Sequence, residues 1–208
     1  MQNCRKNFFL FISFFVWAGC QAPSHAWKAA SYDRDCFKRF VPDFQTQWYK
    51  AAVDVTGRHL SGLLLFKAFA DSSIRVVFTS ETGATFFDFE FGPHFSKVNF
   101  ALPQINKGPV IRTLQNDLDL VLMRYERDPK AELLSDHSNK YLKVQRGKKA
   151  IYLVTSDNCL HLKSIWEEWG GKKKVEVTLS GYFGSVPDSI SITHYNFNMQ
   201  INLRKLRQ

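Results

Sequence analysis

The four cysteines are the side chains whose type and position indicate chemistry most clearly. Cys4 and Cys20 flank an apolar run from Phe8 to Gly19, whereas Cys36 and Cys159 lie in the body of the chain. A thiol can accept an acyl group, form a disulfide or bind a metal, and its sequence context indicates which. Metal binding is not expected, because the chain has no Cys-x-x-Cys pair and its 6 histidines are scattered.

The apolar run is typical of an export signal. It follows the basic pair Arg5 and Lys6, is interrupted only by the polar residue Ser13, and ends in Ala18 and Gly19. It is shorter than the roughly 20 residues that a membrane-spanning helix needs. Residues 1–19 are therefore predicted to be a signal peptide.

Residues 18–20 resemble the lipobox of bacterial lipoproteins, in which the cysteine thiol is acylated and the cysteine becomes the new N-terminus. The lipobox usually has Leu where this chain has Trp17. The resemblance implies that Cys20 is the lipid attachment site, that residues 20–30 form a tether, and that the N-terminal lipid is the contact with the membrane. The alternative is simple secretion after cleavage behind Ala26, where small residues also satisfy the cleavage rule.

Two cysteines, Cys36 and Cys159, remain in the exported chain. In an oxidising compartment, a disulfide between them would close a long loop and stabilise the fold by on the order of 4 kcal/mol. Two separate buried thiols are equally compatible with the sequence.

Composition and charge limit the classes of protein that remain. A chain of 208 residues with 45% hydrophobic content predicts one folded domain over residues 31–208 rather than a disordered chain. Without Arg5 and Lys6, the 28 basic residues become 26 against 19 acidic ones, and the net charge is +7. Basic clusters at 146–149, 172–174 and 204–207 indicate a solvated surface, with attraction to anionic lipid headgroups or an acidic partner as the alternative. Nucleic acid is not an expected partner for an exported protein.

Catalytic motifs are missing from the sequence. It contains no nucleophile elbow, HExxH zinc motif, P-loop, GxGxxG turn or redox Cys-x-x-Cys. His161 and His194 fall in predicted strands, where a lone histidine is more often structural than a general base. We therefore expect neither an enzyme nor a cofactor.

Most of the chain alternates between apolar and polar residues, which predicts about ten short antiparallel strands. In residues 86–91, Phe87, Phe89 and Phe91 share one face, and Asp88 and Glu90 share the other. The predicted strands are 48–55, 59–69, 74–80, 85–91, 97–102, 140–145, 150–155, 159–166, 173–179 and 189–203. The last one changes parity near Thr193, which predicts a bulge in one long strand.

One long segment departs from this alternation. Residues 107–127 have apolar side chains three and four residues apart, with Pro109 near the start and Asn106 as a candidate cap, and predict an amphipathic helix that lies on the sheet. A short helix is expected within residues 31–40. The predicted fold class is α+β, mainly β, with a curved antiparallel sheet.

This order of elements resembles the lipoprotein-carrier family of LolA and LolB, most of all its lipidated outer-membrane receptor. The segments that carry the resemblance are SGLLLFKAF at 61–69, VVFTSETGATFFDFEFG at 76–92 and ITHYNFNMQINL at 192–203. The resemblance implies an unclosed β-barrel whose concave apolar face is covered by helices and accepts acyl chains. It also implies an outer-membrane protein that faces the periplasm and binds lipid or lipoprotein. The loops at 70–73 and 80–84 are polar, whereas the receptor of this family has an exposed loop with an apolar tip.

A flat apolar face would suit an acyl chain, because such walls bind lipid tails without directional partners. The candidate lining residues are Phe87, Phe89, Phe91, Phe100, Leu114, Leu118, Phe197 and Met199. Core packing is the alternative for each of them, since both roles obey the same alternation. The corresponding alternative function is an envelope lipoprotein that acts as a protein-interaction scaffold. We expect a monomer in either case.

Overall fold

The computed structural model describes residues 27–31 and 34–207. The predicted signal peptide 1–19, the lipid attachment site Cys20 and the alternative cleavage site after Ala26 lie outside the described residues. Within the described part of the chain, no helix has the length and apolar character required to cross a membrane.

The described residues form thirteen strands and two α-helices. The strands are β1 (Lys28–Ala29), β2 (Thr46–Val55), β3 (Arg58–Ala68), β4 (Ile74–Thr79), β5 (Thr85–Phe91), β6 (Ser96–Ala101), β7 (Glu132–Ser135), β8 (Asn139–Arg146), β9 (Lys149–Ser156), β10 (Leu162–Trp169), β11 (Lys172–Phe183), β12 (Val186–His194) and β13 (Met199–Lys205). The helices are α1 (Asp35–Lys38) and α2 (Gly108–Val121), and a 3₁₀ turn follows at Arg124–Arg127.

All thirteen described strands belong to one antiparallel sheet. Their spatial order is β1-β7-β8-β9-β10-β11-β12-β13-β2-β3-β4-β5-β6. β1 and β6 are the two edges and do not pair with each other, so the sheet is not closed. The predicted fold class, α+β with a curved and unclosed antiparallel sheet, is confirmed.

The alternation in β5 produces the two faces that the sequence predicts. Phe87, Phe89 and Phe91 are buried in the core on the inner face. Asp88 lies on the other face and is also largely buried, because the Arg75 guanidinium covers it with a bidentate ion pair. Pairing an acid with a neighbouring guanidinium is how a carboxylate is accommodated on a partly covered face.

The prediction of one long strand over residues 189–203 is wrong. β12 and β13 pair with each other, with Ile192 opposite Ile201, and residues 195–198 form the turn between them. The parity change near Thr193 marks a reversal of the chain rather than a bulge. Asn196 and Asn198 are common turn residues and were the signal for it.

The chain is already part of the sheet at residues 28–29, within the segment 20–30 that the sequence predicts to be a tether. Lys28 pairs with Ser135 and Ala29 with Leu134, so the chain joins the sheet as β1. Trp27 packs between Tyr141 and Tyr152, with ring centroids 5.1 Å apart in both pairs. Its apolar ring gains more by covering these two rings than by staying in water.

The long helix begins as predicted and ends early. Pro109 lies in its first turn, and the N-cap position is Lys107 rather than Asn106. α2 stops at Val121 instead of continuing to residue 127, because Met123 has a left-handed backbone with φ of 50°. A left-handed residue cannot continue a right-handed helix.

Cys36 on α1 and Cys159 in the β9–β10 connection are joined by a disulfide, with their Cα atoms 5.2 Å apart. The bond fixes α1 against the sheet. Phe37, the next residue of α1, is fully buried in the main core, together with residues from α2 and the inner face of the sheet. The link therefore joins the N-terminal segment to the half of the sheet that contains β9 and β10.

Candidate ligand-binding cavity

A cavity of about 380 Å³ lies between α2 and six adjacent strands of the sheet, from β12 through β13, β2, β3 and β4 to β5. Only Thr113 and Asp117 contribute polar side chains to its wall. The lining residues are Ala51, Val53, Val55, Leu60, Leu64, Phe78, Phe87, Ile105, Pro109, Val110, Thr113, Leu114, Asp117, Leu118, Ile192, Phe197, Met199, Ile201 and Leu203. Its volume falls within the range of small-molecule sites.

The register of two central strands builds the floor of the cavity. Met199, Ile201 and Leu203 of β13 lie opposite Val55, Val53 and Ala51 of β2, respectively. Because side chains alternate along a strand, these three cross-strand pairs share one face of the sheet. All six side chains line the cavity.

Helix α2 forms the roof, and its packing becomes tighter along its length. Val110 in the first turn is 38% exposed, whereas Leu118 is 5% exposed. The N-terminal end of α2 therefore stands away from the sheet, and its later turns are packed into the core. The space left under the first turns is the cavity.

The cavity opens beside the start of α2. Three of its lining residues are large apolar side chains that remain exposed to solvent: Val110, Leu60 of β3 and Phe197 of the β12–β13 turn. Exposed apolar groups that continue into an apolar cavity mark its mouth. Such a patch is a common feature of binding sites for apolar ligands.

Five of the eight residues predicted to line an acyl cavity are in its wall. Phe87, Leu114, Leu118, Phe197 and Met199 all contact the cavity. They come from two strands (β5 and β13), from α2 and from the β12–β13 turn, and the fold brings them together.

The other three predicted residues lie elsewhere. Phe89 is fully buried and stacks on Phe87 at a centroid distance of 4.5 Å, so it supports the wall from behind. Phe91 is buried farther along the strand, where the Arg124 guanidinium lies 5.7 Å from its ring. Neither is among the residues that line the cavity.

Phe100 is on the opposite face of the sheet. It pairs with Asp88, and a bulge between Asp88 and Phe89 shifts the register of β5 against β6. Phe100 is consequently 45% exposed. A single-residue shift reverses the face of a side chain, and alternation within one strand does not reveal it.

The most unusual residue in the wall is one that the sequence analysis did not select. Asp117 is 1% exposed, and its Oδ2 lies 3.0 Å from Nε2 of His194, whose side chain is 5% exposed. Burial raises the pKa of Asp117, and the hydrogen bond with His194 opposes this effect. The signal for this residue was its spacing, because Asp117 is three residues after Leu114 and lies on the apolar face of the predicted helix.

The second oxygen of the same carboxyl group has no partner. Asp117 Oδ1 is buried and makes no hydrogen bond with any described residue. Within residues 27–31 and 34–207, no three histidine, cysteine or acidic side chains are grouped as a metal site would require. The arrangement therefore combines an apolar cavity with one buried hydrogen-bonding group.

Solved structures of other proteins match this chain over most of its length. One of them is a LolA superfamily protein. That protein, from Nitrosomonas europaea, is 11% identical, with a TM-score of 0.47 and coverage of 86% of this chain and 95% of that chain. A DUF1329 family protein from Desulfovibrio piger is 9% identical, with a TM-score of 0.45 and coverage of 84% and 90%. No protein-family model and no curated protein matches the sequence.

These similarities assign no ligand, since a fold does not determine a function. The cavity and its chemistry are the basis of the functional proposal.

Proposed function

We propose that this protein binds the acyl chains of lipids or lipoproteins in the cavity beneath α2, and that it acts in lipid transport or lipoprotein localisation without catalysing a reaction. The observation that carries the proposal is the apolar cavity of about 380 Å³, which opens beside the first turn of α2.

An acyl chain is the ligand whose chemistry fits these walls best. Each methylene group that leaves water for an apolar environment contributes about 0.8 kcal/mol. At about 30 Å³ for a water-sized group, the cavity has room for on the order of a dozen methylene groups. A polar metabolite would find only Thr113 and Asp117 as hydrogen-bonding side chains in the wall.

The mouth is suited to accepting such a chain from a membrane or a carrier. Leu60, Val110 and Phe197 present apolar surface to solvent at the opening. A chain that enters between them stays in contact with apolar groups throughout its transfer, so its exposure to water is short. This continuity lowers the cost of loading and release.

The proposed location is the bacterial cell envelope, with Cys20 acylated and the domain held at the outer membrane on its periplasmic side. The disulfide between Cys36 and Cys159 supports an oxidising compartment. Trp27 is packed on the sheet, and Cys20 precedes it by seven residues, a distance along the chain that spans at most about 25 Å.

Ligand uptake tests the proposal. The exported full chain carrying Cys20→Ser is purified without detergent and titrated with a fluorescent fatty acid. Ala51→Phe would place a ring in the cavity floor, and we expect it to weaken binding at least tenfold. Ala52→Phe is the matched control, because Ala52 is the next residue of β2 and points to the other face of the sheet.

Two results would contradict the proposal. One is a protein that takes up no acyl probe and carries no bound lipid in native mass spectrometry. The other is an equal effect of Ala51→Phe and Ala52→Phe on binding. Either result would favour the alternative of an envelope scaffold that binds protein partners.

The membrane anchor is tested separately. The intact mass of the wild-type protein extracted from membranes should exceed the mass of the cleaved polypeptide by its acyl groups, and Cys20→Ser should remove this excess. A chain that begins at residue 27 and carries no acyl group would show simple secretion instead.

A further inference from the structure

Asp117 is an acidic residue in surroundings where burial of a carboxyl group is unfavourable. It is part of an apolar wall and is almost completely buried. Transferring a carboxyl group into such surroundings without full hydrogen bonding is unfavourable, and a buried polar atom without a partner calls for an explanation. His194 forms a hydrogen bond with Oδ2, whereas Oδ1 has no hydrogen-bond partner among the described residues.

The neighbouring polar groups are engaged elsewhere. Lys149 of β9 forms an ion pair with Glu167 and donates a hydrogen bond to Asn116. His194 uses Nε2 for Oδ2 of Asp117, and its ring packs against Phe197 at a centroid distance of 4.6 Å. No described side chain is therefore placed to satisfy Oδ1.

The position of Asp117 selects what can reach it. Val110, at the mouth, is 38% exposed, and Asp117 lies two turns farther along the same helix at 1% exposed. A group that approaches Asp117 has to pass along apolar walls with the rest of the ligand. A charged headgroup would lose most of its hydration on this path, whereas a hydroxyl group loses far less.

We propose that a small rotation of the Asp117 carboxyl group brings the buried Oδ1 to the cavity surface, where it hydrogen-bonds a hydroxyl group carried on the acyl chain, so that the cavity prefers hydroxylated acyl chains to unsubstituted ones. This inference rests on the proposed function, because it names the class of chain that the same cavity binds. A hydroxyl fits both states of the acid, since it donates to a carboxylate and accepts from a carboxylic acid. An unsubstituted chain would leave Oδ1 buried without a partner.

The size of the preference follows from the type of bond. A buried carboxyl oxygen that is left without a hydrogen bond keeps its desolvation penalty in either protonation state of the acid. We therefore expect a hydroxylated chain to bind about tenfold or more tightly than its unsubstituted partner.

The test is a competition assay on the exported full chain carrying Cys20→Ser. A bound fluorescent fatty acid is displaced by saturated fatty acids of equal length, either unsubstituted or with one hydroxyl group at successive positions. In the unmodified cavity, at least one hydroxylated position should displace the probe at a tenfold lower concentration. Asp117→Leu should abolish this difference between the two kinds of chain.

The matched control is Asp119→Leu. Asp119 is on the same helix and is paired with Arg124 outside the cavity, so its loss should leave the preference intact. Asp117→Asn serves as a second variant with nearly unchanged shape, in which the preference should fall. Circular dichroism verifies that each variant is folded.

The outcomes separate the two proposals. If the probe binds but hydroxylated and unsubstituted chains compete equally at every position, the inference about Asp117 is wrong and acyl binding stands. Equal loss of the preference in Asp117→Leu and Asp119→Leu would also contradict it. If no acyl probe binds, both the proposed function and this inference fail.

Discussion

Ala51 of β2 lies directly opposite Gly62 of β3, so two very small residues are neighbours on the inner face of the sheet. Leu60 and Leu64 flank Gly62 on the same strand face, and both line the cavity. Of the pair, Ala51 is among the residues that line the cavity and Gly62 is not, because the Thr79 carbonyl and the Phe78 ring of β4 fill the space over Gly62. The small side chain of Ala51 thus leaves room in the wall, whereas Gly62 allows the close approach of β4.

Gly62 is expected to tolerate no side chain. A Cβ atom at this position would lie 2.0 Å from the carbonyl oxygen of Thr79 and 2.9 Å from Cε2 of Phe78. Because the first contact is with backbone, β3 and β4 would have to separate locally. Gly62→Ala should lower the free energy of unfolding by roughly 1–3 kcal/mol, measured by urea denaturation. Ser61→Ala is the control and should stay within about 0.5 kcal/mol of the original protein; equal stability of the two variants would show that the strands can adjust.

Phe197 at the mouth should contribute to ligand affinity. Replacing it with serine removes an apolar ring that lines the cavity, and the affinity for an acyl probe should fall about tenfold. Tyr195→Ser is the matched control, because Tyr195 is in the same turn, is 55% exposed and does not line the cavity. Probe titration measures both. A larger loss in Tyr195→Ser than in Phe197→Ser would place the mouth elsewhere.

The disulfide should make a large contribution to stability. It closes a loop of 123 residues between Cys36 and Cys159, for which the chain-entropy account gives about 4 to 5 kcal/mol. Thermal or urea unfolding with and without a reducing agent measures the effect. The double variant Cys36→Ala/Cys159→Ala should match the reduced protein and should not respond to the reductant. An oxidised protein that is no more stable than this variant would show that the bond has no net effect.

Asp136 should make the stability of the protein depend on pH in the acidic range. Burial favours its neutral form, but hydrogen bonds from Tyr141, Ser138 and Asn139 outweigh this and lower the pKa of Asp136 to about 2. Because its pKa is lower in the folded protein, ionised Asp136 contributes to the free energy of unfolding above pH 4. This contribution is lost as the pH falls from about 4 to about 2. Urea midpoints measured across this interval should fall more steeply for the original protein than for Asp136→Asn. Parallel curves for the two proteins would contradict the assignment.

Tyr141, which donates the hydrogen bond to Asp136, should make the stability of the protein depend on pH in the alkaline range. Burial and the hydrogen bond to Asp136 raise its pKa to about 12. The stabilisation is complete below pH 10 and is lost as the pH rises towards 12, because the ionised phenol cannot donate to the carboxylate. The difference in phenolate absorbance between the original protein and Tyr141→Phe, recorded as the pH rises, measures the titration of Tyr141.

The parts of the fold that could be predicted from sequence are those with a strong local pattern. β5 has the predicted bounds, Thr85–Phe91, because its alternating phenylalanines bury one face of a single strand. The two-residue strand β1 was missed because so short a segment has no period, and its pairing with β7 depends on a contact across more than a hundred residues. The turn at 195–198 was missed because its aromatic residues continue the apolar pattern.

The candidate site could be predicted only in part, for a physical reason. Alternation shows that Phe87 and Met199 face inward, but it does not show whether the space before them is filled. Filling depends on the size of residues on other strands, such as Ala51 of β2, and on how closely α2 approaches the sheet. The face of Phe100 depends on a bulge in the pairing of β5 with β6, which is a property of two strands and not of one sequence segment.

The position of the disulfide has a mechanical consequence for a protein held by its N-terminus. Tension from an anchor at Cys20 would reach β1 first, and two paired residues would separate under a small force, as in peeling. The load would then arrive at Cys36, where a covalent bond passes it to the β9–β10 connection. β2, which begins at Thr46 and forms part of the floor of the cavity, comes after this bond in the chain and would carry less of the load. With the proposed anchor at Cys20, tension from the membrane would therefore act first on the half of the sheet that contains β9 and β10.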